Sequence, residues 1–442
     1  MVFYADPRKQ SVDYSTFQND GPRETLYGLP SDVRFCSRCV ISNQRPSSSV
    51  EFKHNKASLK QTINFDSDGI CDACRMAERK NSEIDWDARE RELIALCEKY
   101  RSRNGSFDCV VPGSGGKDSF FAAHVLKYKY DMSPLTVTWA PHQYTPWGWD
   151  NMQAWIHAGF DNFLVTPNGK THRILTRLAI ENLYHPFQPF ILGQKYLAPK
   201  MSVLNQVPLV FYGENEAEYG NPISDNETSE RDWRYFSASD DDEIFLGGVS
   251  IADLKSHFGL TAADVSMYTP ADPGRLRDTG TEVHYLGYYM KWHPQSAYYY
   301  SVDHGGFKPS PERTPGTYSK YNSIDDRIDD LHYYTTYIKF GIGRATYDAA
   351  QEIRSGDILR DEGVALVSRY DGEWPDRFES ELMEYISLPE NRFPECSGLF
   401  ESPTIDKDYF LALGDRFRSP HLWNRVNGEW ALRNTVFNKE TI

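Results

Sequence analysis

Val110-Val111-Pro112-Gly113-Ser114-Gly115-Gly116-Lys117-Asp118-Ser119 is the stretch whose reading decides the fold. It reads as a short buried strand, a glycine-rich turn and the start of a helix. Cys109 to Val111 is apolar, and Phe121, Val125 and Tyr128 then recur at the spacing of one helix face. Glycines let the backbone approach a phosphate closely, and a helix start points free N–H groups and its positive dipole end at that phosphate. Two familiar phosphate loops fail on counting. The nucleoside-triphosphatase loop needs a glycine separated by four residues from Gly116-Lys117, and Val111 stands there. Asp118 also replaces its Ser or Thr, and a dinucleotide fingerprint would need glycine at Asp118.

The remaining pattern, Ser114-Gly115-Gly116-Lys117-Asp118-Ser119, resembles the PP-loop of the ATP pyrophosphatases. The resemblance implies cleavage of ATP between its α and β phosphates, with AMP passed to an oxygen of the substrate.

Composition agrees with a globular enzyme. The 442 residues are enough for two or three domains, and 28 Tyr, 24 Phe and 10 Trp argue against disorder. No apolar run approaches a membrane span, and the N-terminus lacks an apolar signal region. A net charge of −15 argues against a nucleic-acid or anionic-membrane surface. Cys36-Ser37-Arg38-Cys39 and Cys71-Asp72-Ala73-Cys74 suit one tetrahedral zinc in a reducing compartment better than a disulfide framework, so the expected location is cytoplasmic. The 31 residues between the pairs exceed the usual zinc-ribbon loop. The polar, β-prone stretch 47–68 would be a zinc-pinned hairpin, and the closed site structural. Cys97, Cys109 and Cys396 read as buried thiols.

The expected architecture is α/β: a parallel-sheet PP-loop domain of the adenine nucleotide α-hydrolase kind, an N-terminal zinc-ribbon module and a mainly helical C-terminal region. Residues 1–32 form a polar lead segment and 33–78 the zinc module. Residues 79–283 form the ATP-binding domain, with an acidic insertion near 221–275, and 284–442 the helical region. Strands at Cys109–Val111, Leu135–Trp139, Phe163–Val165 and Val207–Tyr212 alternate with helices. The last runs into Gly213-Glu214-Asn215-Glu216-Ala217-Glu218-Tyr219-Gly220, an acidic loop expected at the carboxyl edge beside the PP-loop. Glu214 and Glu216 could hold magnesium or position a nucleophile. Asp240-Asp241-Asp242-Glu243 reads as a solvated charge run. Helical periodicity covers Ile324–Phe340, Tyr347–Arg354 and Phe378–Ile386.

Ser323-Ile324-Asp325-Asp326-Arg327-Ile328-Asp329-Asp330-Leu331-His332, Lys339-Phe340-Gly341-Ile342-Gly343-Arg344-Ala345-Thr346 and Gln351-Glu352-Ile353-Arg354 sharpen the assignment. With the cysteine pairs and the two loops, they resemble the N-acetyl sugar amidotransferases, which make acetamidino sugars for lipopolysaccharide and flagellin glycosylation. The likeness runs from about Cys36 to the Trp423 region. It implies that an acetamido oxygen attacks the α-phosphorus of ATP and that ammonia then displaces AMP. It assigns Lys117 and the amides of Gly115 and Gly116 to the phosphates, Ser114 and Ser119 to phosphate oxygens, and Asp118 to magnesium or to capping. Lys339, Arg344 and Arg354 would contact ATP or a nucleotide-sugar diphosphate, or else form salt bridges with Asp325, Asp326 or Glu352. No glutaminase elbow surrounds Cys97, Cys109 or Cys396. The resemblance therefore implies ammonia from separate glutaminase and cyclase-like subunits. Two rivals stay open: a tRNA-thiolating PP-loop enzyme, which needs a basic surface and a sulfur-carrying cysteine, and a non-catalytic zinc-ribbon scaffold.

Overall fold

The computed structural model describes residues 2–18, 23–214, 216–239 and 241–437. At its centre is a five-stranded, wholly parallel sheet. Its strands are β1 (Cys109–Pro112), β2 (Pro134–Trp139), β3 (Asn162–Val165), β4 (Leu209–Tyr212) and a fifth, Glu282–Tyr285. The spatial order is β3, β2, β1, β4, then Glu282–Tyr285. The chain first builds outward from β1 through β2 to the β3 edge. It then crosses back to lay β4 on the other side of β1. The carboxyl ends of β1 and β4 therefore diverge at a topological switch point, where open α/β sheets leave a crevice.

Local chemistry explains the elements around that crevice. Helices α1 (Asp72–Ser82) and α2 (Trp86–Tyr100) precede the sheet, and Gly116 caps helix α3 (Lys117–Tyr128). Helix α4 (Pro146–His157) starts with proline at its first position, and the Thr145 side chain accepts the Gly148 N–H. Helices α5 (Gly169–Leu183) and α6 (Gln188–Asn205) cover one face of the sheet, where Val110, Leu135 and Val137 meet Leu175, Tyr196 and Leu197. On the other face Val111 and Phe211 pack with Phe120, Leu126 and Trp155.

Three regions differ from the sequence expectation. Residues 33–78 contain no strand pair among the described residues, only isolated bridges such as Phe35–Ser42 and Pro46–Thr62. The second cysteine pair opens a helix (Asp72–Ser82) with Cys71 as its cap, so a helix start replaces the hairpin. The acidic insertion is not a surface excursion. Phe236, Leu246, Leu254 and Tyr268 from it are buried with the α5–α6 core. Within its acidic run, Asp242 pairs with Lys53 at 2.9 Å, and Asp240 lies outside the described residues. Finally, the helix expected from Ile324 begins at Asp329. Residues 324–328 instead form a bend, a single bridge from Asp326 to Tyr144 and a turn, held because Asp326 accepts the His142 and Ile328 N–H groups and the Thr145 N–H donates to the Asp325 carbonyl.

The C-terminal region is mainly helical and ends in a hairpin, Trp423–Val426 with Glu429–Leu432, which the periodicity did not reveal. Its apolar side chains share one core with Cys36, Cys39 and Cys71. No described helix is long and apolar enough to cross a membrane.

Candidate functional site

The glycine turn is shaped by space as much as by flexibility. Gly115 has φ +84°, and a β-carbon there would lie 2.6 Å from the Asn151 carbonyl oxygen. At Gly113 a β-carbon would meet the Ser119 side chain at 2.3 Å. Gly116 differs. Its φ of −66° suits any residue, and the nearest atom to an added β-carbon is 3.9 Å away. It therefore borders open space at the N-terminus of α3. Two cavities of about 390 and 310 Å³ meet over this turn, and Ser114, Gly116, Asp118, Glu214 and Tyr219 line both.

The larger cavity lies at the switch point. Val137, Trp139, Phe190, Tyr212 and Tyr285 give it aromatic and apolar walls, and Lys195 and Arg231 supply cations. The smaller one lies between the turn and the C-terminal region. Asn151, Asn322, Asp325, Arg344 and Gln351 make its wall polar.

Carboxylates concentrate where the cavities join. Asp118 accepts from Lys117 Nζ at 2.6 Å through Oδ2, while its buried Oδ1 has no partner. Glu214 accepts from the Tyr219 hydroxyl at 2.9 Å. Burial, then repulsion from Asp118, pushes the Glu214 carboxyl up to about 7. Glu216 behaves oppositely. Burial favours its neutral form, but Arg231 at 3.0 Å and nearby Lys195 hold it below the usual carboxylate range. Burial raises Asp325, and a hydrogen bond from Ser114 partly offsets that. Asn215 of this acidic loop lies outside the described residues.

Of the sequence-derived candidates, the fold gathers Ser114, Gly116, Lys117, Asp118, Ser119, Glu214, Glu216 and Arg344 around the two cavities. Gly115 supports the turn from behind, packed against α4. Arg344 pairs with Asp348 at 3.0 Å and donates to the Tyr333 hydroxyl. Lys339 is not in the group. It is buried elsewhere, donating to the Leu183 carbonyl at 2.7 Å. Arg354 also lies apart from both cavities. It donates to the Glu218 carbonyl at 3.1 Å and approaches Cys39 Sγ at 4.0 Å. Neither forms a salt bridge with Asp325, Asp326 or Glu352. Sequence reasoning missed Lys195 and Arg231. Lys195 is one of only two charged residues, with Lys200, in the otherwise uncharged helix α6, a visible signal, whereas Arg231 was hidden inside the presumed insertion.

The cysteines form a second centre. Cys36, Cys39, Cys71 and Cys74 are buried, with their sulfurs all within 4.8 Å of one another. Cys36–Cys74 and Cys39–Cys71 are 3.8 Å apart, which is about the sulfur separation set by ~2.3 Å bonds to a tetrahedral zinc. The cluster fits a zinc site with four protein ligands. It also braces the cleft. Lys80, on the helix that Cys71 caps, pairs with Glu218 at 2.8 Å, and both side chains are buried.

Residues 315–436 match the family model described as LPS biosynthesis protein WbpG-like, C-terminal domain. A stretch of 81 residues is 27% identical to Uncharacterized protein MJ1599 of Methanocaldococcus jannaschii, covering 18% of this chain and 28% of that protein. Over its C-terminal region the chain is thus similar to a domain of lipopolysaccharide-biosynthesis proteins, the region that supplies Arg344 and Gln351 to the smaller cavity.

Proposed function

We propose that the chain is an ATP-dependent N-acetyl sugar amidotransferase of the PP-loop type. One observation carries the reading: an open glycine turn at a helix start stands between an aromatic-walled cavity and a polar one. ATP would place its adenosine in the first and its phosphates on the turn. An acetamido sugar would occupy the second, and the similarity to a lipopolysaccharide-biosynthesis domain supports a sugar there.

The acetamido oxygen attacks the α-phosphorus, the bond to the bridging oxygen breaks, and pyrophosphate leaves. Ammonia adds to the imidate carbon, the carbon–oxygen bond breaks with AMP as leaving group, and one proton is released. The N–H groups at the start of α3 and the Lys117 ammonium meet the charge growing on pyrophosphate. Asp325, in the sugar cavity with its carboxyl raised by burial, is placed to receive the proton. Asp118 and Glu214 would hold Mg²⁺. Their mutual repulsion and the partnerless Asp118 Oδ1 are what a hard cation with oxygen ligands relieves. Bound there, the ion neutralises phosphate charge. Zinc at the four cysteines is structural.

Ammonia would come from glutaminase and cyclase-like partner subunits. The tRNA-thiolating alternative loses ground on one point: all seven cysteines are buried, and burial pushes the Cys109 thiol well up. The test is incubation with ATP, ammonium and N-acetyl sugars whose amide oxygen carries oxygen-18. Label in AMP, with pyrophosphate and amidino sugar in equal amounts, is expected. Label in inorganic phosphate with ADP overturns adenylylation.

A further inference from the structure

Lys80 lies on α1, the helix that Cys71 caps, and its side chain is 9% exposed. A buried ammonium needs acceptors. Lys80 Nζ has two, both from distant segments: Glu218 Oε2 at 2.8 Å and the Trp292 carbonyl at 2.9 Å. Each acceptor leads to the acidic loop of the cleft. Trp292 is buried, and its indole lies against Gly213, where an added β-carbon would be 3.3 Å from the ring. Gly213 immediately precedes Glu214. Glu218 lies beyond Glu214 on the other side, inside the single turn Glu216–Tyr219. One ammonium therefore grips the chain on both flanks of Glu214.

Two more contacts complete this frame. Arg354 donates to the Glu218 carbonyl at 3.1 Å, so the backbone of that residue is anchored as well as its side chain. Tyr219, the next residue, donates its hydroxyl to Glu214 at 2.9 Å. Glu218 itself lines neither cavity. Its carboxylate is thus spent on Lys80 rather than on a ligand. A buried ion pair is weak evidence for stability, because apolar residues of similar volume often hold a fold equally well. What Lys80 and Glu218 add over such a pair is direction: a hydrogen bond fixes where the loop runs.

We propose that Lys80 and Glu218 are positioning residues for the cation site of the cleft, setting the Glu214 carboxylate opposite Asp118. This role rests on the reading of Asp118 and Glu214 as magnesium ligands. It goes beyond that reading by making cation affinity depend on a helix of the cysteine module, remote from the glycine turn.

The test is titration of the zinc-loaded full chain with Mn²⁺, read by the loss of the free-ion paramagnetic resonance signal. The wild type should bind Mn²⁺, and Asp118→Asn should bind it far more weakly. Lys80→Met with Glu218→Leu removes the pair without leaving a lone buried charge, so this variant should keep its zinc and melt close to wild type. Its Mn²⁺ affinity should nevertheless fall about 10-fold or more, the scale of losing a group that orients a metal ligand. Glu218→Gln keeps an oxygen for Lys80 Nζ and should stay within about threefold of wild type. A wild type that binds no Mn²⁺ removes the magnesium reading and this role with it. A wild type that binds Mn²⁺ and a folded double variant that matches it remove the positioning role alone. Equal losses in Glu218→Gln and the double variant would make charge, not position, the cause. A double variant that fails to fold or drops its zinc would make the pair part of the folding core. Either result overturns the proposal.

Discussion

The four-cysteine cluster and the cleft over the glycine turn are built on opposite plans. The cluster takes its ligands from two short local pairs, seals them from solvent and has four ligand atoms for a four-coordinate ion. The cleft draws on segments from Pro112 to Gln351, stays open and leaves Asp118 Oδ1 without a partner. The first is complete as protein plus ion. The second keeps a carboxylate oxygen unpaired. The difference teaches that the closed centre can support the open one: Lys80 and Arg354 run from the cysteine side to Glu218 of the acidic loop.

The largest effect should come from breaking the closed centre. Cys71→Ser with Cys74→Ser removes two thiolates from the cluster that fits zinc, and zinc contributes on the order of 10 kcal/mol in small zinc modules. Because the cysteines share a core with the C-terminal helices, the variant should bind no zinc and melt at a markedly lower temperature. Elemental analysis and calorimetry check this. Metal-free wild type that stays folded and releases pyrophosphate normally would break the comparison.

Next comes the turn itself. Gly116→Val introduces no backbone strain at φ −66° and no close contact, so the protein should fold, bind zinc and melt as before. Its branched side chain projects into the open space over the turn, where the proposed reading puts phosphate. ATP-dependent pyrophosphate release should fall ~100-fold or more, the scale of losing an aligned anion donor. Gly115→Val is the contrasting case. It collides with α4 and should fail by misfolding.

These contrasts track what was legible in the sequence. Strand, turn and helix around Gly113–Lys117 could be read because glycine spacing and apolar runs are local signals. The cysteine pairs could be read for the same reason. Arg231 could not, because its segment looks like an acidic insertion and its role depends on Phe236 and Leu246 packing beneath α5 and α6. The periodicity of Ile324–Phe340 places Asp325 in a helix. The tertiary hydrogen bonds to His142 and Thr145 hold its segment out of the helix, as a bend and turn. Lys339 was assigned to the site from a motif that it shares with Arg344, yet the Gly341 turn sends the two side chains to different places.

A moderate effect is expected at Glu214, and its sign separates binding from folding. The folded carboxyl titrates at about 7, above its ordinary 4.5, so the native state binds more protons than the unfolded chain between those values. Stability attributable to this group is therefore greatest in acid and falls as pH rises through 7. Glu214→Gln should stabilise the zinc-loaded, magnesium-free protein by ~1–3 kcal/mol at pH 8, with the gain fading toward pH 4.5. Pyrophosphate release should nevertheless drop steeply in the same variant. Melting curves at several pH values, with paired activity assays, separate the two. A destabilised variant at pH 8 would mean that the carboxylate is satisfied without a cation.

The smallest effect on the reaction should be at Lys339, and it tests the comparison from outside both centres. The side chain is 4% exposed, and burial lowers the ammonium to about 7. Its donation goes to the Leu183 carbonyl, beside Tyr27 and away from the glycine turn. Lys339→Met keeps most of the volume and removes the buried charge. Below its unfolded value the lysine is protonated in the unfolded chain and resists protonation when folded, so wild-type stability rises with pH from about 7 toward 10.5. Methionine removes that slope. The variant should gain ~1–2 kcal/mol at pH 7 after about 1 kcal/mol for the lost hydrogen bond, and the gain should shrink as pH rises. Pyrophosphate release should stay within about twofold of wild type, as the group touches neither cavity. A 100-fold loss with unchanged stability would put Lys339 in contact with ATP or sugar during turnover. It would mean that the cleft closes over a residue the present arrangement buries elsewhere.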